Sequence, residues 1–138
     1  MTKRLLLLVL PLWLFAAQVK AEYFTITRYD IAVTFAADGS ADFVETIEVK
    51  FTEPRHGIFR FIPYHDVING EAVDRLIKDI GVDGFKFAKS KEENYNLLIK
   101  IGSADTYVEG TQVYRINYHV VNPLNFFEDG HTEFYWDL

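Results

Sequence analysis

Alternation of apolar and polar side chains with a period of two governs most of this chain, and it leaves few folds open. In the longest run Val113, Arg115, Asn117, His119 and Val121 alternate with Tyr114, Ile116, Tyr118 and Val120. Successive strand side chains point to opposite faces, so this spacing suits a sheet with one buried face. It defeats a helix, whose apolar stripe returns every three or four residues. The face carrying Tyr114, Ile116, Tyr118 and Val120 is the one expected in the core. Phe43, Ile47, Val49 and Phe51 oppose Val44, Thr46, Glu48 and Lys50 in the same manner, and Tyr29, Ile31, Val33 and Phe35 oppose Asp30, Ala32 and Thr34. Ala37, Asp38, Gly39 and Ser40 between these two runs have the composition of a tight turn, so together they predict an antiparallel hairpin.

Further extended segments follow. Ile58 to Ile62 is a short, partly buried run stopped by Pro63, which offers no ladder donor. Arg75 to Val82 reads as a strand, the Asp83 and Gly84 turn comes next, and a short strand passes through Phe85 and Phe87. Tyr95, Leu97, Ile99 and Ile101 alternate with Asn96, Leu98 and Lys100. The intervening stretches read as turns and loops: Glu53 to Gly57, Tyr64 to Asp74 with Asn69 and Gly70 at its turn, the charged stretch Lys89 to Asn94, and Gly102 to Gly110. About seven short strands at regular spacing predict an all-β fold, an antiparallel β-sandwich that is immunoglobulin-like or related. Gly110, Thr111 and Tyr114 are similar to a tyrosine corner, though not at its standard spacing.

The N-terminus obeys a different rule. Lys3 and Arg4 precede an unbroken apolar run from Leu5 to Ala17, and Val19, Lys20 and Ala21 stand before Glu22. This is the plan of a secretory signal, with small side chains where a peptidase cuts. The 13 residues of the run fall short of the roughly 18 or more needed to span a bilayer, and Pro11 inside it suits a transient segment better than a permanent membrane helix. A signal-peptide helix over residues 1–21, cleaved before Glu22, is therefore expected; an uncleaved anchor is the alternative. Its removal leaves 117 of 138 residues, enough for one core and one domain, and takes Lys3, Arg4 and Lys20, so the formal charge moves from −6 to −9. That sign excludes nucleic acid as a partner, because phosphate binding demands clustered Lys and Arg. With no cysteine in the chain, stability must come from burial, for which 12 Phe and 8 Tyr provide the area. Thr132 to Leu138 is a strand-like aromatic run with no turn or tail behind it. Because open apolar edges invite aggregation, a domain over 22–138 that is incomplete at its C-terminal side is expected.

The succession of Tyr29 through Val33, Asp38 and Gly39, Glu45 and Ile47, then His56, Gly57, Ile58, Arg60, Ile62 and Pro63 resembles the start of the domain of unknown function 2207, found in predicted bacterial membrane proteins. Ile101 and Gly102, Tyr107, Gly110, Tyr114, Ile116 and Tyr118 continue the resemblance, as do Asn122, Phe127, Asp129, Glu133, Phe134, Tyr135 and Trp136. It covers nearly all of the chain after the leader. It implies a signal peptide, an extracytoplasmic β-rich domain and subsequent transmembrane helices with a variable tail; it implies no catalytic residue.

Two charges break the alternation. Glu45 shares a face with Phe43 and Ile47, and a buried carboxylate without a partner is costly. It is expected either to pair with a cation, for which Arg60 is the candidate, or to reach water at the sheet rim. Arg60 stands among apolar residues and must itself be paired or stacked on a ring. A structural clamp through Glu45 or Glu133 is the expectation, and a binding surface presenting Phe59, Tyr64 and His65 is the other reading. Glu45, Gly57, Arg60, Pro63, Tyr114, Glu133 and Trp136 together form the candidate structural or binding cluster. Phe126 and Phe127, in the loop from Asn122 to Asp129, are expected to plug one end of the core. His56, His65, His119 and His131 show no zinc-ligand spacing and read as loop and surface residues. Neither a nucleophile elbow, nor a phosphate loop, nor a Cys nucleophile is present, so no catalytic, cofactor or metal residue is assigned.

These residues describe a non-enzymatic extracytoplasmic domain of a membrane-associated protein, binding an envelope protein or polymer. Membrane association would come from a C-terminal segment absent from this sequence or from an uncleaved leader. The competing class is a secreted hydrolase or carbohydrate-active domain using Glu45 or Glu133 as paired carboxylates. A structural spacer is a third.

Overall fold

A computed structural model describes residues 23–136. The signal-peptide helix expected over residues 1–21 and the end of the aromatic run at Asp137 and Leu138 lie outside the described residues. Among the described residues there are eleven strands and no helix. β1 (Phe24–Phe35), β2 (Ala41–Arg55), β6 (Ile77–Val82) and β9 (Val108–Val120) form a four-stranded sheet in the order β1-β2-β9-β6. β3 (Gly57–Pro63), β7 (Phe87–Lys91) and β8 (Asn96–Gly102) form a second, three-stranded sheet in the order β3-β8-β7. Two hairpins stand outside the sheets, β4 (His65–Ile68) with β5 (Glu71–Asp74) and β10 (Leu124–Phe126) with β11 (Thr132–Phe134). All pairing is antiparallel.

The sheets face each other across one core. Phe43, Ile47, Val49 and Phe51 of β2 and Tyr114, Ile116, Tyr118 and Val120 of β9 meet Ile62 of β3 and Leu97, Ile99 and Ile101 of β8 in a single buried cluster. These are the faces that the two-residue period selects. β1 alternates in the expected phase, but Tyr29, Ile31 and Val33 are only half-buried because β1 is an edge strand.

The sandwich follows the related, non-immunoglobulin branch of the expectation. In the immunoglobulin order the last long strand joins the sheet of the third strand, whereas here β9 pairs with β2. Nor does Tyr114 form a tyrosine corner: its hydroxyl is buried without a hydrogen-bond partner, and its ring packs against Phe85 at 4.6 Å between centroids.

Several segments that read as loops hold strands: Asn122 to Asp129 contains β10, and Gly102 to Gly110 gives its last three residues to β9. Tyr64 to Asp74 contains the β4–β5 hairpin, whose two-residue turn places Asn69 at φ 53° and Gly70 at φ 83°. Both signs are those of a type I′ turn, which is why Asn-Gly stands there. Lys89 to Lys91 belongs to β7, fully exposed and held to β8 by its backbone, so it has no buried face to announce it. The expected turn at Glu53 to Gly57 shrinks to His56, because β2 runs on to Arg55. Across it Phe51 pairs with Gly110 and Arg55 with Val108, so three residues of β2 oppose one of β9. This bulge accommodates Pro54 and bends the chain out of the first sheet.

From there the chain crosses to β3 at a pair of glycines. Gly57 and Gly102 are cross-strand partners with φ of 131° and 122°. A Cβ on Gly57 would lie 1.9 Å from the Ile101 carbonyl oxygen, and one on Gly102 would lie 1.8 Å from that of His56. The His56 ring sits beside this crossing, its Nδ1 within 3.2 Å of the Ser103 and 3.1 Å of the Thr106 carbonyl oxygens, and donating the ring proton to them fits both acceptors.

Candidate functional site

Glu45 and Arg60 do meet, and they do so between the sheets. Residue 45 points inward from β2, as its even-spaced neighbours Phe43 and Ile47 do, and residue 60 points inward from β3 between Ile58 and Ile62. Arg60 donates from Nε to Oε2 at 2.7 Å and from Nη2 to Oε1 at 3.0 Å, a bidentate fork. Tyr29 donates its hydroxyl to Oε2 at 2.9 Å, and Tyr118 donates to Oε1 at 2.6 Å. Trp136 donates its indole N–H to the Tyr118 hydroxyl at 3.2 Å. The remaining Arg60 nitrogen, Nη1, donates to the Phe61 carbonyl oxygen. Glu45 is 0% exposed and each of its oxygens accepts two hydrogen bonds, so the buried charge is compensated on every side.

The electrostatics follow from that closure. Burial pushes the Tyr118 and Tyr29 phenols well above the ordinary tyrosine range, and the adjacent Glu45 charge pushes the same way. Burial pulls on the Arg60 guanidinium in the opposite sense, but the hydrogen bonds and charge of Glu45 outweigh it and hold Arg60 above its usual value. Both carboxylate oxygens of Glu45 are fully engaged by these donors.

Of the residues singled out in the sequence, the structure brings Glu45, Arg60 and Trp136 into one network. Gly57 shapes the crossing into β3, and Pro63 ends that strand opposite Asn96. Tyr114 is core. Glu133 is exposed on β11 and accepts from Asn125 Nδ2 at 3.3 Å rather than from Arg60. Two members were missed, Tyr29 and Tyr118. Both lie at inward positions where a tyrosine reads as apolar surface; the signal available was an inward carboxylate flanked by phenols on neighbouring strands. Phe126 and Phe127 do not plug the core: Phe126 is 73% exposed, and Phe127 stacks on His131 at 4.1 Å.

A second buried cation, Arg75, heads the stretch read as a strand, which begins only at Ile77, and its partners lie far along the chain. Arg75, 6% exposed, donates from Nη1 to the Asn122 carbonyl oxygen at 2.8 Å and from Nη2 to Asn125 Oδ1. Asn122 in turn accepts from the Leu76 N–H at 2.9 Å and donates to the Asp74 carbonyl at 2.9 Å. Arg75 thereby ties both outlying hairpins to the sandwich. Burial lowers its guanidinium from the usual value, with Asp66 opposing.

A large apolar recess opens beside the Glu45 network, along the side where β1 and β3 are both edge strands. Its volume is about 680 Å³. Tyr23, Phe24 and Ile26 form one wall, Ile47 and Val49 of β2 the floor, and Ile58, Phe59 and Phe61 the other wall. Tyr29 and Arg60 close it toward the ion pair, while Arg55 flanks the mouth with its guanidinium over the Tyr23 ring at 4.0 Å. Phe24 and Ile26 face inward, opposite the buried Phe51 and Val49, yet are 45% and 51% exposed. No lining residue is acidic, although the sequence holds 20 acids against 14 Lys and Arg. Neither Glu45 nor Glu133 lines this groove. Among the described residues no group of three His, Cys, Asp or Glu is placed to hold a metal ion.

Comparison with curated proteins and with solved structures finds no match. A family model does match: residues 25–138 fit the N-terminal domain of a predicted membrane protein family, DUF2207. Among the described residues no helix is long and apolar enough to cross a membrane. The match begins at the second residue of β1, takes in both sheets and both hairpins, and includes the Glu45 network and the groove lining other than Tyr23 and Phe24. This chain belongs to the DUF2207 family, whose N-terminal domain it contains.

Proposed function

We propose that this is an extracytoplasmic binding domain of a membrane-associated protein, and that it holds an envelope protein or polymer in the groove between β1 and β3. The observation that carries the reading is the exposure of Phe24 and Ile26, inward-facing residues that a closed sandwich would cover. Apolar surface left open on an otherwise well-buried sheet face costs stability unless something occupies it. The secretory plan of residues 1–21 supplies the address, on the far side of the inner membrane.

Glu45 gives little support to a hydrolase. A general acid or nucleophile must reach substrate, and Glu45 has its lone pairs engaged by Arg60, Tyr29 and Tyr118.

The test is site-specific photo-crosslinking in cells that export the protein. A crosslinking residue at Ile26 or Phe59 is expected to give adducts with another envelope component. The same residue at Asp79, on the opposite edge strand β6, is expected to give none. Equal labelling at all three positions, or labelling at Asp79 alone, would defeat the groove reading. Intact leader on protein recovered from the cytoplasm would defeat the location.

A further inference from the structure

We infer that the groove's occupant is an extended polypeptide segment, which adds to the free edge of β3 as a fourth strand of the smaller sheet and so covers β1. This rests on the groove reading and specifies its ligand.

The sheets are unequal, four strands against three, and the shortfall lies over β1. Layers of a sandwich lie about 10 Å apart and neighbouring strands about 4.8 Å apart. A strand beside β3 would therefore rest on the uncovered inner face of β1, where Phe24 and Ile26 stand at the two-residue spacing of a strand. A compact ligand would fill part of this slot; an extended chain matches its form along the 7 residues of β3, about 23 Å at strand rise.

Unpaired backbone is available at the right place. Tyr64 donates its N–H to the Tyr95 carbonyl at 3.1 Å, and the antiparallel ladder alternates from there. Ile62, Arg60 and Ile58 then turn their polar groups to β8, while Phe61 and Phe59 turn theirs to the open edge. Gly102 fixes the same phase independently, since its N–H goes to the Lys86 carbonyl at 2.8 Å and away from β3. Arg60 Nη1 already satisfies the Phe61 carbonyl. The Phe59 N–H and C=O and the Phe61 N–H remain for an incoming strand, the donor and acceptor set of strand addition.

Charge narrows the chemistry. The lining holds two arginines and no acid. Arg60 is neutralised by Glu45, whereas Arg55 meets only the Tyr23 face and makes no ion pair among the described residues. The segment should carry apolar residues at alternate positions and a carboxylate at the end that reaches Arg55. The protein's own surplus of negative charge makes a second copy a poor donor of that strand.

The experiment uses the exported protein, isotopically labelled, with two probes: a synthetic peptide of alternating valine and threonine bearing one terminal aspartate, and dodecanoate. The peptide is expected to slow hydrogen exchange at the Phe59 and Phe61 amides. A peptide of the same composition with its valines grouped in a block should bind on the order of tenfold more weakly, as should the first peptide to Phe61→Pro. That substitution removes an edge N–H which β8 does not use, so the ladder with β8 and the fold should persist, as thermal unfolding would show. Should Phe61→Pro fail to fold, exchange at the two amides in the unaltered protein still decides. Dodecanoate in the groove with no peptide protection of these amides overturns strand addition and leaves the groove reading standing. Binding of neither probe overturns both. Protection of the same amides on raising protein concentration alone, with a doubled mass, means that a second copy fills the groove and also overturns the proposal.

Discussion

Replacing Arg60 by Met removes the charge while keeping most of the aliphatic stem, and it leaves the Glu45 carboxylate, 0% exposed, with only the two phenols as donors. Breaking one side of a buried ion pair costs about 3–5 kcal/mol, because the surviving charge has lost both its partner and its water. Glu45→Leu should cost a similar amount by stranding Arg60. The double variant Glu45→Leu/Arg60→Met buries no charge; it leaves the Tyr29 and Tyr118 hydroxyls without their acceptor, at about 1–3 kcal/mol each. The double variant should thus fall well short of the sum of the singles, with a coupling of about 3 kcal/mol. Adding Tyr29→Phe and Tyr118→Phe should recover most of what the stranded hydroxyls cost. Urea unfolding followed by tryptophan fluorescence measures this directly, since Trp136 is the one tryptophan beyond residue 21 and donates to Tyr118 itself. The slope with urea should stay constant across the set, so that midpoints report stability. Additive singles, with a coupling under about 0.5 kcal/mol, would refute the claim that the two charges act as one compensated unit.

Gly57→Ala and Gly102→Ala should each cost roughly 3 kcal/mol or more, because the new Cβ meets a carbonyl oxygen under 2 Å away at a φ of 131° or 122°. Gly70→Ala, with open space around it at φ 83°, should cost only about 1 kcal/mol, and comparison of urea midpoints tests the ranking. Tyr29 and Tyr118 have folded-state pKa values raised above the ordinary 10.0. Their contribution is therefore fully present below about pH 10 and is lost as pH climbs beyond it, when the unfolded chain ionises first. Midpoints measured from about pH 8 to pH 11 should fall at the alkaline end, and the phenylalanine variants should fall less. Arg75→Met should speed hydrogen exchange in the β4–β5 and β10–β11 hairpins while the paired amides of β2 and β9 stay protected. Uniform acceleration across the chain would contradict a local tether.

Where side chains alternate between core and water, the sequence can be read directly. β2, β8 and β9 are placed to within a few residues, and the odd charge on an inward face leads straight to the Glu45–Arg60 pair. β7 and the β4–β5 hairpin leave no such mark. Their backbones make the ladders while side chains such as Lys89, Ser90 and Val67 stay in water or at the margin, so burial writes no period into them. The groove was illegible for another reason. Phe24 and Ile26 carry the pattern of covered residues, and only the count of strands in the opposite sheet reveals that nothing covers them. Arg75 shows the converse difficulty, a buried cation whose partners, Asn122 and Asn125, the latter in β10, come from a distant stretch that no local period predicts.

The ion pair and the groove are parts of one arrangement. Apolar sheets packed face to face resist separation better than they resist sliding, since hydrophobic contact is nondirectional. A bidentate guanidinium–carboxylate fork is directional, and this one joins β2 of one sheet to β3 of the other. A shift of β3 by one residue would put Phe59 or Phe61 opposite Glu45 and leave the carboxylate uncompensated. A directional fork of this kind favours a single register, the use of buried charge that is best attested. In that register Arg60 Nη1 also satisfies the Phe61 carbonyl, and the Phe59 and Phe61 N–H groups face the groove. The free edge of β3 is thus held in place by Arg60, which also closes one end of the groove, the condition under which a flexible segment can dock without the site having to be ordered at the same time.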